Sequence, residues 1–529
     1  MSRRHARAVS STLVAALFAA AVVSVLSGLA LAQSTTVLRV ASTASVTTWD
    51  PSRSFSTEAV YLANLYEPLL WANPPGAAEP FSPALATEWS TAPDGLSWTF
   101  ELREGVTFHD GEPLTADAVV RSIDRHRDIG GAAFIWAPLS EVVAVDDDTV
   151  RFDLAYPAPL DLIASSLYGA WIVSPAALDT AAQDDEHFEA GIAAGTGPYV
   201  LADYRPDSEV VLSAFEGYWG GWDDLEHFEN VVVSIVSDEV IQEQLLRAGE
   251  VDLALRLPPS SYASFDEDPA FDVRVEATPF NYVGFLNVLR EPLDDVRVRQ
   301  AISYAVPYGD IIEVGVEGLG TQARGPVPKG IFPYSEDVPQ YEQDLDRARE
   351  LLAEAGHEGG GFTLSLTYAA ENAVQRNFAP IFADALADIG IDVEIEPMLF
   401  NQQWAMAREN PAEAQDIFFL LYWPTYSDAG SDNLWSMFRS SENPFFNLSY
   451  WENERFDALV DDAVTLAGTD RDAAQELYVD AMTLLVDEAP ALFFMDVSNW
   501  YAVPTYLAGF DYNINYPFAT FFYPIHLDR

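Results

Sequence analysis

Between residues 344 and 398 the chain changes hydrophobic period three times. "DLDRARELLAEAG" (344–356) has helical spacing and is closed by Gly356, and "FTLSLTYAA" (362–370) reads as a strand. "FAPIFADALADIG" (378–390) is helical again, and "IDVEIEPM" (391–398) is a second strand. Two strands joined through a helix call for a parallel crossover, so this region predicts an α/β lobe with a partly parallel sheet. The chain has 529 residues, of which 49% are hydrophobic and 13% aromatic. That is too long for one hydrophobic core, so two or more lobes are expected.

Other segments carry equally local signals. "VLRVAST" (37–43), "VVLSAF" (210–215) and "NVVVSIV" (230–236) read as strands. "TEAVYLANLYEPLLWA" (57–72) has the helical spacing of Val60, Leu62, Leu65 and Leu69. "GLSWTFELREGVTFHDG" (95–111) alternates as a hairpin turning at Glu104-Gly105. Thr115 is the expected cap of a helix over 115–126, and "DDDTVRFDLAY" (146–156) is a turn followed by a strand. "EVIQEQLLRAGEVDLAL" (239–255) reads as helix, glycine turn and strand, and "VRVRQAISYAV" (296–306) as a helix. There is no internal repeat.

The N-terminus reads as an export signal. Arg3, Arg4 and Arg7 precede an apolar run from Leu13 to Leu31, and Ala30-Leu31-Ala32 gives a small-x-small cleavage pattern before Gln33. A membrane anchor is the alternative; the Ala- and Ser-rich run and its cleavage pattern favour a signal peptide over residues 1–32, cleaved after Ala32. Arg3-Arg4 is compatible with twin-arginine export, though His5-Ala6 continue such a signal poorly. The chain has no cysteine, which excludes a lipoprotein anchor, disulfides, thiolate metal sites and a Cys nucleophile.

The 82 acids against 27 Lys+Arg give a net charge of −55, and the acids are spread along the whole chain. Such a surface repels itself unless salt screens it, so an exported protein exposed to a saline medium is expected. No basic stripe exists to meet phosphates, which argues against nucleic acid.

Motifs for chemistry are missing. There is no G-x-S-x-G, H-E-x-x-H or G-x-x-x-x-G-K, and the seven histidines are dispersed. His109, in the "HDG" turn, reads as a turn residue. "DAGSDN" (428–433) offers Asp428, Ser431, Asp432 and Asn433 as oxygen ligands, but not at the alternate spacing of a calcium loop. No metal site, cofactor or catalytic residue is expected.

The stretch "PALATEWSTAPDGLSWTFELREGVTFHDGEPLTADAVVRSI" (83–123) resembles the signature of the peptide/nickel class of extracytoplasmic solute-binding proteins, which serve ABC importers. "YEPLL" (66–70), "GTGPYVL" (195–201), "EGYWGG" (216–221), "LRAGEVDLA" (246–254), "YVGFLN" (282–287) and "LDDVRVRQAISYAV" (293–306) follow in the family's order. The resemblance implies a two-lobed α/β periplasmic-binding-protein fold with an extra domain inserted in the first lobe. The implied divisions are lobe I at 33–71, its inserted domain at 72–194, lobe I again at 195–282, lobe II at 283–496, and a return to lobe I at 497–529. It also implies a periplasmic, monomeric protein that closes on a short peptide and delivers it to membrane permease subunits. A nickel chelate is a further possibility within the class, without a motif here. An oligosaccharide in the same role, or a secreted hydrolase, are the alternatives.

"FLLYWPTYSDAGSDNLWSMF" (419–438) resembles the family's lobe-junction segment W-x-A-D-Y-x-D-P, whose first acid pairs with a peptide amino terminus. Tyr422, Trp423 and Tyr426 supply apolar walls and Asp428 matches the second acid. Thr425 stands where the first acid would be, one residue shorter, and Ala429 replaces the proline. Asp428 has two readings, ligand contact or turn stabiliser; Asp432 reads as a helix cap. Further expected contacts are Ser45 and Trp49 after the first strand, Asn281 and Tyr282 before the crossing into lobe II, and Arg324 and Arg408 as carboxylate partners.

Overall fold

The computed structural model describes residues 37–192, 194–222, 227–441 and 446–528. The expected export signal and its cleavage point lie outside the described residues.

The chain begins with β1 (Val37–Ser42). A short pair, β2 (Leu70–Ala72) and β3 (Phe81–Pro83), leads to β4 (Ala86–Thr91), β5 (Ser97–Leu102), β6 (Leu139–Ala144) and β7 (Thr149–Leu154). These last four form an antiparallel sheet of order β4-β5-β7-β6, covered by the helix Ala116–Ile129. The chain then returns to the first sheet through β8 (Tyr199–Arg205), β9 (Glu209–Ala214), β10 (Asn230–Ile235) and β11 (Leu253–Ala254), in the order β11-β1-β10-β9-β8. Both sheets share one continuous core running from Leu38 through Phe100, Trp136, Trp171 and Tyr199. This is lobe I with its inserted sheet.

Lobe II is built on β12 (Phe271–Leu286), β13 (Gly320–Thr321), β14 (Phe362–Ala369), β15 (Ile391–Met398), β16 (Ile417–Tyr422) and β17 (Ala491–Pro504), in the order β13-β17-β12-β16-β14-β15. β14 pairs in parallel with both β15 and β16, as the strand–helix–strand pattern predicts. One face packs under Phe285, Phe418, Leu420 and Phe493, the other under Leu286, Phe382, Phe419 and Phe494. The two faces arise from strand alternation.

β12 and β17 are the connection between lobes. Their outer halves carry Trp500 and Ala502 into a small core with Ala41, Leu246 and Ala254 of lobe I. Their inner halves belong to lobe II. The register breaks between Ala277 and Asn281, where the pair passes from one lobe to the other. The expected boundaries at 282 and 496 fall inside these two strands.

Two local expectations need correction. The helix expected over 57–72 stops at Leu65, because Tyr66 is extended (φ −123°, ψ 155°) and Pro68 lies just beyond; Leu70–Ala72 become β2. The turn at Glu104-Gly105 is present, with Gly105 at φ 77°, but no hairpin follows. β5 pairs instead with β4 and β7, and the next segment makes only an isolated bridge, Thr107 to Pro113. Val106 and Phe108 are buried all the same, so the alternation reported burial correctly and the partner wrongly. Thr115 caps its helix through the Ala118 amide, as expected.

Candidate functional site at the lobe junction

β16 delivers Tyr422 and Trp423 to the place where the lobes join. Trp423 is 39% exposed. It packs edge-on against Phe280 from the break in β12 (5.7 Å) and against Phe518 from the C-terminal segment (5.6 Å), which touch each other at 5.4 Å. Phe518 leans on the core of lobe I. The three rings therefore draw on the connecting strand, lobe II and the tail. Tyr426, three residues on, also packs against the core of lobe I.

The acids after Trp423 build the loop. Asp428 accepts from the amides of Gly430 (2.9 Å) and Ser431 (3.1 Å) with one oxygen and from the Ser431 hydroxyl with the other. It thereby takes up the first two amides of the π-helical turn Gly430–Leu434 that enters Trp435–Phe438, from the residue before its N-cap Ala429. Burial raises its pKa, a rise opposed by the Ser431 bonds and by the charge of Arg471. Asp432 is not the cap expected of it. It lies inside the turn and reaches back to accept from the Thr425 amide, tying down the loop that carries Trp423. Burial pushes its carboxyl up to about 6.

Next to this loop, at Tyr422, lies a polar cluster on three adjacent strands. Asn281 is opposite Tyr422 on one side and Asp496 on the other. Asn281 Nδ2 donates to Asp496 Oδ1 (2.7 Å) and to the Gly325 carbonyl (3.2 Å); the Lys329 amide donates to Asp496 Oδ2 (3.1 Å). All three side chains are buried. Asn281 Oδ1 and the Tyr422 hydroxyl have no hydrogen-bond partner among the described residues. Burial pushes Asp496 up to about 7, against the lowering effect of the Lys329 amide and Asn281.

The remaining expected contacts disperse. Tyr282 points to the opposite face of the sheet from Asn281, into the other core, where its hydroxyl meets Asn372 Oδ1 (3.3 Å). Trp49 is a core residue of lobe I, flanked by Tyr61 (6.0 Å) and Tyr204 (5.2 Å), rather than a cleft wall. Ser45 is half-buried, and its carbonyl accepts from Thr57. Arg324 donates to the Val338 carbonyl (2.8 Å) beside Gln322, Gln340 and Tyr341, within lobe II. Arg408 is exposed at the end of the helix Phe400–Glu409. His109 is half-buried in its turn, its Nε2 at 2.9 Å from the Gly197 carbonyl. Phe280, Phe518 and Asp496 were not anticipated. Asp496 had a signal, as the lone acid in "ALFFMDV"; the two phenylalanines had none, since only the fold brings them to Trp423.

The sequence model of the bacterial extracellular solute-binding proteins, family 5 (middle), matches residues 80–445. The chain belongs to this family. It is 31% identical over 446 residues to heme-binding protein A of Haemophilus influenzae, covering 77% of each chain. It is 30% identical over 439 residues to the dipeptide-binding protein of Escherichia coli, covering 78% of this chain and 80% of that one. The solved structure of HbpA2 from Haemophilus parasuis superposes with a TM-score of 0.82 at 26% identity, covering 93% of this chain and 100% of the other. The two-lobed architecture of this solute-binding protein is thus that of its relatives, which are binding proteins.

Proposed function

We propose that this protein captures short peptides outside the cytoplasmic membrane, between its two lobes, and hands them unchanged to the permease of an ABC importer. The observation that carries the reading is Trp423, held half-open by Phe280 and Phe518 where the lobes join. A flat apolar wall with few polar groups suits an extended peptide. The dipeptide-binding relative supports the same ligand class. We assign Trp423 and Tyr426 to the wall, with Tyr422 and Asn281 as the polar groups on the adjoining strands. Export would remove residues 1–32, and the protein would act as a monomer.

An oligosaccharide is the second reading. It is favoured by Thr425 in place of the family's first acid and by the commitment of both Asp428 and Asp432 to amides of the loop itself. Native mass spectrometry after incubation with di- to tetrapeptides, xylo-oligosaccharides and hemin separates these. A retained, intact peptide supports the proposal; a retained sugar or hemin replaces it; steady conversion of any of them indicates a hydrolase.

A further inference from the structure

The lobes also touch outside the connecting strands. Ala158 to Asp161, at the edge of the inserted domain, face Gly468 to Arg471 of lobe II. Arg471 Nη2 donates to Asp161 Oδ1 at 2.7 Å, across 310 residues of sequence. The Asp161 side chain is 9% exposed and that of Arg471 31%. The guanidinium carbon lies 5.9 Å from the ring centre of Phe81 in lobe I and 5.9 Å from that of Phe332 in lobe II. Its Nε is buried without a hydrogen-bond partner among the described residues. The backbones approach so closely here that a Cβ on Gly468 would sit 2.6 Å from the Ala158 carbonyl oxygen. Arg471 also acts on the charge of Asp428 in its own lobe.

We propose that Arg471 and Asp161 are a positioning pair for solute capture, a latch that holds the lobes together, and that Gly468 permits the approach that engages it. With 82 acids and 27 Lys+Arg, the chain has few cations to set between its lobes. An arginine between Asp161 and Asp428 opposes the repulsion that would part them. A half-buried charge-assisted bond is strong enough to shift an open–closed balance, and apparent ligand affinity scales with the closed fraction. The inference rests on lobe closure in this solute-binding protein and not on which ligand it takes.

The absence of cysteine allows a direct test. Ala182→Cys in the inserted domain and Asp462→Cys in lobe II, both exposed, accept nitroxide labels with no other thiol to react. Dipolar distance distributions are recorded on the full chain without added ligand. Arg471→Gln and Asp161→Asn are each expected to cut the short-distance population by about threefold or more, and Arg471→Lys to restore part of it. Gly468→Ala, which leaves both charges in place, is expected to open the lobes as well. An Arg471→Gln distribution that matches wild type, even with a lowered melting temperature, overturns the latch and leaves Arg471 a merely structural residue. So does a Gly468→Ala protein that stays closed.

Discussion

Asn281 and Asp496 are joined at 2.7 Å across β12 and β17, just beyond the register break where the chain passes between lobes. The bond consumes one donor of Asn281; its carbonyl oxygen and the hydroxyl of its cross-strand partner Tyr422 have no hydrogen-bond partner among the described residues. A buried carboxyl in this setting is a store of pH dependence. Asp496 is pushed from its ordinary 3.8 to about 7, so the folded state keeps a proton that the unfolded chain releases. Stability contributed by the neutral acid is fully present below about 4 and is lost as pH rises towards 7. Asp496→Asn, which cannot ionise, should therefore gain on wild type across that window, by at most about 4 kcal/mol at 1.36 kcal/mol per pKa unit. Denaturant unfolding at pH 4.5 and pH 8 checks this. A difference that does not grow with pH would contradict it.

Asp428 should matter to the loop before it matters to any ligand. Asp428→Ala removes the acceptor of two amides and one hydroxyl. The expected loss is about 1.5–3 kcal/mol of stability, the scale of hydrogen bonds to a charged group. Because the carboxylate is committed to the turn, N-acetylating a bound peptide should cost less than that amount. Unfolding of the variant and calorimetry with free and acetylated peptide read the two effects separately.

Salt dependence follows from composition. Removal of residues 1–32 takes three arginines and no acids, so the mature charge would be 24 − 82 = −58. The melting temperature should rise clearly between roughly 0.1 and 1 M salt, as the Debye length falls from about 10 to 3 Å. A flat response would remove the argument for a saline setting.

The parallel lobe was legible because β14 and β15 announce themselves through short-range periodicity, and pairing simply follows. β5 shows where that logic ends. Its alternation told which residues are buried, but its partners come from 86–91 and 149–154, a choice made by the tertiary fold. The site divides in the same way. The aromatic loop stood out as a run of residues, with Asp428 legible as a ligand contact or turn stabiliser and Asp432 as a helix cap. Which acid holds the amides of the turn and which ties the loop depends on the π-helical geometry, which no residue type signals. Asn281 and Tyr282 were expected together, yet neighbours on a strand face opposite ways, so only Asn281 shares the face of Tyr422 and Asp496.

The most direct test of peptide capture at the junction is titration calorimetry of wild type and Trp423→Ala with an extended tri- or tetrapeptide. The substitution also removes ring contacts to Phe280 and Phe518, so the variant's unfolding is measured beside its binding. Wild type is predicted to bind one peptide per chain without turnover. The variant is predicted to lose about 2 kcal/mol or more of binding free energy, the scale of an aromatic hot spot. Equal affinity of the two proteins, or no peptide binding by wild type at all, would contradict the account.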